Sequence, residues 1–235
     1  MAANIKENVL SARFQPVLLH GQSAINTFRA VPNLSKADGS VRLGNSVISY
    51  SGDPVKTAKT NASVLDAAFY ELARASEEGK KLRLIVPINS YSVVGNEGAS
   101  IIVNSIKKLP KELRNSAIVE LFDFPENLSM NVLEDDIVPL FPFFENYIAA
   151  PADGMDDFTI FANCNLLGVS MDLTALDQSA EQTGKKIMKF WASATKRRLK
   201  LFFQGVTDEG VKQTAERYEA MGIDGPIIGE MVDVL

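Results

Sequence analysis

The chain has 235 residues, 46% hydrophobic and 23% charged, with a net charge of −5. That acidic balance excludes a general nucleic-acid binder, which needs a basic face. Cys164 and His20 are each alone of their type, which excludes a disulfide framework, Cys- or His-rich zinc sites and most Ser-His-Asp arrangements.

The first twelve residues, MAANIKENVLSA, lack the apolar core of a signal peptide. The most apolar run, Ile137 to Phe144, is broken by Pro139 and Pro142 and is too short to span a membrane. A soluble, cytoplasmic protein with neither nucleic-acid nor membrane partners is expected. Residues 4–12 place Ile5, Val9 and Leu10 on one face of a short opening helix. Phe14, Pro16 and Leu18, then Ile25, Thr27, Arg29 and Val31, alternate around the turn-like His20-Gly21-Gln22-Ser23, which predicts a β-hairpin. Residues 33–57 are rich in Gly, Ser and Asp and predict an irregular insertion with weak strand character at 47–50.

Leu65, Ala68, Phe69 and Leu72 predict a helix over 60–75. The nearly continuous apolar run 82–88 predicts a strand buried on both faces. A helix follows over 99–109, stopped by Pro110, then a strand over 117–122. Residues 131–145 have helical patterning that Pro139 and Pro142 oppose. A short strand at 147–150, a loop at 151–157 and a helical turn at 158–163 come next. Strands at 167–173 and 199–203 alternate with helices at 179–195 and 208–221, the second closed by Gly222 at its C′ position, and a last strand falls at 225–228.

This alternation, without a Gly/Pro-rich linker, predicts one α/β domain over residues 1–235 with a parallel sheet. Seven or eight such units suit a (β/α)₈ barrel of the TIM type with an N-terminal β-hairpin. An open doubly wound sheet would want a Gly-rich loop after its first strand, and the sequence has neither G-x-G-x-x-G nor a Walker A motif.

Phe14-Gln15-Pro16-Val17 and, after the turn, Phe28-Arg29-Ala30-Val31 resemble the opening of the bacterial EAL domains, which hydrolyse cyclic di-guanylate (cyclic di-GMP). Glu120-Leu121-Phe122-Asp123, Ser170-Met171-Asp172 and Gln204-Gly205-Val206 continue the resemblance over nearly the whole chain. It implies a set of remnant active-site positions. Arg29 stands where the family has the metal-ligand Glu of Glu-Ala-Leu. Pro87 stands in place of a ligand Asn, with Asn89 as a slipped alternative. Glu120 matches a retained ligand, and Asp172 is also retained. Ser170 replaces the Lys that orients the attacking water, and Gln204 and Thr207 replace two Glu residues. The segment 147–154 lacks the family's adjacent Asp pair, and Asn33 falls where the family has an Arg. Gln15 lies on the strand that the family uses at the nucleotide and is the candidate ligand-binding residue.

An Arg has no lone pair to offer a cation, whereas two-metal hydrolysis needs several converging hard oxygen ligands. The expectation is therefore a degenerate domain: no catalytic residue, no bound metal or other cofactor, and no enzyme activity. Arg29 is expected to pair with Glu120, and also with Asp172, as counter-charge to the leftover acids. Without a ligand role, Glu120 and Asp172 are strand-end acids. Asp156-Asp157 reads as a solvated loop pair or a helix N-cap, Lys196-Arg197-Arg198 with Lys200 as a complement to a helix C-terminus, and Phe141, Phe143 and Phe144 as barrel-to-helix core, with any exposed portion a candidate partner surface. The resemblance implies a regulatory protein partner in cyclic di-GMP, motility or surface-attachment signalling, with a homodimer as a candidate assembly. A non-hydrolysing cyclic di-GMP receptor is the alternative. A different hydrolase using Glu120, Asp172 and Ser170 is disfavoured, because no base is positioned for Ser170.

Overall fold

The computed structural model describes residues 8–126, 128–174 and 180–235. The chain opens with β1 (Val9–Leu19) and β2 (Thr27–Ser35), which form the expected hairpin, followed by a short β3 (Val41–Leu43). Then α1 (Pro54–Glu77), β4 (Arg83–Asn89), α2 (Gly95–Ile106) and β5 (Ala117–Phe122) alternate. The second half runs α3 (Met130–Ile137), β6 (Asn146–Ala149), α4 (Thr159–Asn163), β7 (Gly168–Asp172), α5 (Ala180–Thr195), β8 (Lys200–Gln204), α6 (Glu209–Arg217) and β9 (Gly222–Asp224).

The strand order β1-β9-β8-β7-β6-β5-β4-β2 closes into an eight-stranded barrel through the β1–β2 pairing, and β3 extends β2 outside it. Seven barrel strands are mutually parallel where they pair, and β1 runs antiparallel to both β2 and β9. The short connection over residues 20–26 forces this reversal, because it is too short for the crossover that parallel neighbours need. It also removes one crossover. Six α-helices, rather than one for each of seven or eight units, cover the described barrel. Beyond β9 the chain pairs back onto β1 through Phe14 and Val232.

Several boundaries differ from expectation for local reasons. Residues 4–7 of the expected opening helix, and Ser179 at the expected start of α5, lie outside the described residues. From Val9 onward the backbone is strand, because the ladder Val9↔Ser35 to Val17↔Thr27 supplies cross-strand partners that a short helix would forgo. Helix α1 begins at Pro54, not 60, because Asp53 caps it, accepting from Val55 N at 2.9 Å and Lys56 N at 3.2 Å. Helix α3 ends at Ile137, before Pro139 and Pro142. The insertion forms a 3₁₀ turn at Asn45–Ile48 instead of a strand at 47–50. Helix α6 ends at Arg217, and Glu219, at φ 53°, turns the chain. Gly222 is therefore no helix cap; it opens β9, and the last strand lies at 222–224 rather than 225–228.

Two apolar layers hold the barrel. The outer one packs the helices against outward-facing strand residues such as Val86, Ile88, Val119 and Phe203. The inner one fills the barrel with Val17, Leu19, Ile85, Ile118, Ile148 and Phe202. Gly222 makes room for Phe202 inside: a Cβ there would sit 2.7 Å from Phe202 Cδ1. One pleat further toward the C-terminal ends of β4, β5 and β8 stand Pro87, Glu120 and Gln204, and Gln15 is their counterpart on the reversed β1. The period of two thus converts an apolar floor into a polar layer at the mouth. No helix among the described residues is long and apolar enough to cross a membrane.

Gly222→Ala is expected to lower stability by about 1–3 kcal/mol through overpacking against Phe202, measured by urea unfolding. Gly184→Ala, within α5 and with nothing within 4 Å of the added Cβ, is expected to raise it by about 0.5–1 kcal/mol.

Candidate functional site at the barrel mouth

Arg29 projects from β2 into the polar layer. Its Nη1 donates to Glu120 Oε2 on β5 in a short contact, and its Nε donates to Asp224 Oδ2 on β9 at 2.7 Å. The other oxygen of Glu120 accepts from Gln204 Nε2 at 2.9 Å, and the other oxygen of Asp224 accepts from Gly205 N at 3.3 Å. All three charged residues are buried, Arg29 at 5%, Glu120 at 1% and Asp224 at 3% exposure. At that burial an unpaired charge would be prohibitive, so the pairing is what makes the layer tolerable.

One guanidinium serves two carboxylates, so the ionised cluster carries one net negative charge. Burial pushes the Asp224 carboxyl above its usual value; Arg29 opposes this and the nearby Glu120 adds to it. Burial by itself would lower the Arg29 pKa, but Glu120 and Asp224 together more than reverse it and hold the guanidinium protonated. Arg29 Nη2 has no hydrogen-bond partner among the described residues.

The expected partner Asp172 is not part of this cluster. It is exposed at the end of β7, and its Oδ1 accepts from Thr174 N at 2.8 Å and Thr174 Oγ1 at 2.6 Å. The second acid is Asp224, for which no role is expected from sequence. The alternation Gly222-Ile223-Asp224 was the available signal: if Gly222 faces the barrel interior beside Phe202, so does Asp224.

Pro87 lies beside Glu120 in the β4–β5 register, where it offers a ring and no donor. Its carbonyl accepts from Asn61 Nδ2 at 3.0 Å. Asn89, the slipped alternative, is fully engaged elsewhere. Its Nδ2 donates to Ile48 O at 2.9 Å and Asp123 Oδ2 at 2.8 Å, and its Oδ1 accepts from Tyr91 N at 3.0 Å. Asp123 Oδ2 also accepts from Tyr50 N at 2.9 Å. Together they strap the insertion around Ile48 onto the ends of β4 and β5. Ser170 is buried beside Phe202, with its Oγ 3.5 Å from Ala149 O.

Gln15 is buried, and its Nε2 donates to Gly225 O at 3.1 Å and Gly229 O at 2.8 Å. It therefore fastens the turn after β9. Asn33 Nδ2 donates to Ser11 Oγ at 2.8 Å. Asp156 and Asp157 are exposed, as expected of a solvated loop pair, and pair with Lys189 at 2.8 Å and Arg197 at 3.5 Å. Asp157 also accepts from Thr159 N at 3.0 Å, in the manner of an N-cap.

A cavity of about 330 Å³ opens above the cluster, lined by Gln15, Arg29, Gln204, Asp224 and, from the insertion, Gly44 and Asn45. A second, of about 280 Å³, adjoins it at Asp172 and includes Ser170, Met155 and Lys186. These donors do not suit a divalent cation. Glu120 and Asp224 have both oxygens claimed by N–H groups, a guanidinium stands between them, and Asp172 turns to Thr174.

The closed eight-stranded α/β barrel matches the fold of solved EAL domains. Similar solved structures are the YkuI protein of Bacillus subtilis, with an EAL domain, in complex with substrate c-di-GMP and calcium (TM-score 0.73, 12% identity) and the PaMucR phosphodiesterase in complex with c-di-GMP (TM-score 0.75, 13% identity). The FimX EAL domain from Pseudomonas aeruginosa, bound to c-di-GMP, is a third (TM-score 0.70, 14% identity). They cover 96%, 95% and 96% of this chain, which in turn spans 55% of the YkuI chain, 92% of the PaMucR chain and 91% of the FimX chain. At the level of sequence, no family model and no curated protein matches.

Arg29→Met, which strands two buried carboxylates, is expected to cost about 3–5 kcal/mol in urea unfolding. Adding Glu120→Gln and Asp224→Asn to it should recover much of that loss. The raised Asp224 pKa has a definite sign. The folded state holds this proton more tightly than the unfolded one, so its contribution to stability falls as pH rises from about 3.9 through the raised value. Unfolding midpoints across pH should show that fall in the parent and a flatter profile in Asp224→Asn.

Proposed function

We propose that the chain is a non-hydrolysing domain of the EAL fold that acts in cyclic di-GMP signalling by binding a regulatory protein partner. One observation carries the reading: Arg29 occupies the centre of the polar layer and consumes the carboxylates that a metal would need. The fixed guanidinium supplies one positive charge where a divalent ion would supply two, and it polarises no water toward a phosphodiester. With Pro87 at the register position beside Glu120, that neighbouring strand adds no ligand. The protein-partner reading is supported by Met130, Val138 and Phe141, large apolar side chains left 40%, 56% and 50% exposed on and just after α3.

The 330 Å³ cavity at the rim favours a second reading, a cyclic di-GMP receptor without turnover. Its volume is at the lower end for a small-molecule site, and Gln15, the expected ligand residue, is occupied by the turn after β9.

Incubation with cyclic di-GMP and magnesium, manganese or calcium is expected to give no product. Turnover that disappears in Glu120→Ala would overturn the proposal. Calorimetric titration with the nucleotide separates the two readings. Absence of heat favours the protein partner, and binding that survives chelation favours the receptor.

A further inference from the structure

The opposite end of the barrel, where the strands begin, holds a cleft that the mouth does not explain. Its volume is about 400 Å³; Gln22, Asn26, Ser76, Lys80, Lys81, Arg83 and Ser116 supply its polar lining, and three leucines complete it. The hairpin turn forms one wall and the α1–β4 junction the other, joined by Arg83 N donating to Asn26 O at 2.8 Å. No acidic residue lines it, although the chain carries 29 Asp and Glu.

The charges are uneven. Lys80 has Glu78 at 2.9 Å and donates to Leu235 O at 3.0 Å. Lys81 and Arg83 are exposed and have no acidic partner among the described residues. Service to the end of α1 does not account for them. The last carbonyls of that helix are already taken by backbone N–H groups: Arg74 O by Glu78, Ala75 O by Lys80 and Ser76 O by Gly79. Two like charges facing one cleft repel each other, and an anion between them reverses the sign of that interaction.

We infer that this cleft binds a phosphate-bearing anion. Arg83 offers a planar fork suited to two phosphate oxygens, and Lys81 offers a point charge. The amides of Gln22 and Asn26 and the hydroxyls of Ser76 and Ser116 add neutral donors around them. The phosphate would come from a soluble ester or from an anionic lipid headgroup. This inference is independent of the function proposed for the mouth.

Pyrophosphate is the probe, titrated calorimetrically into the full chain at low ionic strength. Saturable binding is expected, and added salt should weaken it. The variant Lys81→Glu/Arg83→Glu should lose about tenfold or more in affinity. Lys196→Glu/Arg198→Glu makes the same charge change at exposed positions near the start of β8, and should stay within about twofold. All four side chains are exposed, so unchanged circular-dichroism melts should accompany both variants. No binding, or equal loss in both variants, overturns the inference. Co-sedimentation with phosphatidylglycerol vesicles then identifies the source. Retention that pyrophosphate releases assigns a headgroup, and no retention assigns a soluble ester. Retention that pyrophosphate leaves untouched overturns the site.

Discussion

One guanidinium between two buried carboxylates is the constraint on which the mouth of this barrel depends. Arg29 reaches past β4 to Glu120 and past β1 to Asp224, tying strands two places away on either side of β2. Gln204 extends the tie from β8 to Glu120. Buried ion pairs recover their desolvation cost only when the geometry and remaining hydrogen bonds are good. Here each carboxylate oxygen of the pair has a donor. The network is best regarded as a condition for burying acids in that layer, and not as a surplus of stability.

Around this centre, the groups that would otherwise face the rim serve structural ends. Asn89 and Asp123 hold the insertion, and Asn61 bridges Pro87 O and Asn89 N. Gln15 fastens the turn after β9. Asp156 and Asp157 are paired with Lys189 and Arg197. A rim whose polar side chains are already paired with one another has few free ligands for a metal and keeps its shape without one.

The sequence made much of the architecture legible. Hydrophobic periodicity placed the strands at 82–88 and 117–122 within a residue or two, because a strand buried on both faces has nearly no polar positions. The Arg29–Glu120 pair was also readable, since two acids at strand ends need a cation. Asp172 and Asp224 could not be told apart in the same way. Both end short apolar strands, and only the stagger of the closed barrel decides which one reaches Arg29. Similarly, Gly222 fits a helix cap and a strand start equally well by sequence, and the Phe202 ring settles it.

By itself, then, the sequence determined the alternation of strands and helices, the hairpin, and the presence of a cation where the resemblance to EAL domains implies an acid. These follow from local periodicity and residue chemistry. Only the tertiary structure decided which acids that cation meets, that Gln15 is engaged by the turn after β9 and Asn89 by Ile48, Tyr91 and Asp123, and that Lys81 and Arg83 share a cleft with the hairpin turn. Those outcomes depend on barrel closure, which brings together residues 91 and 195 positions apart in the chain.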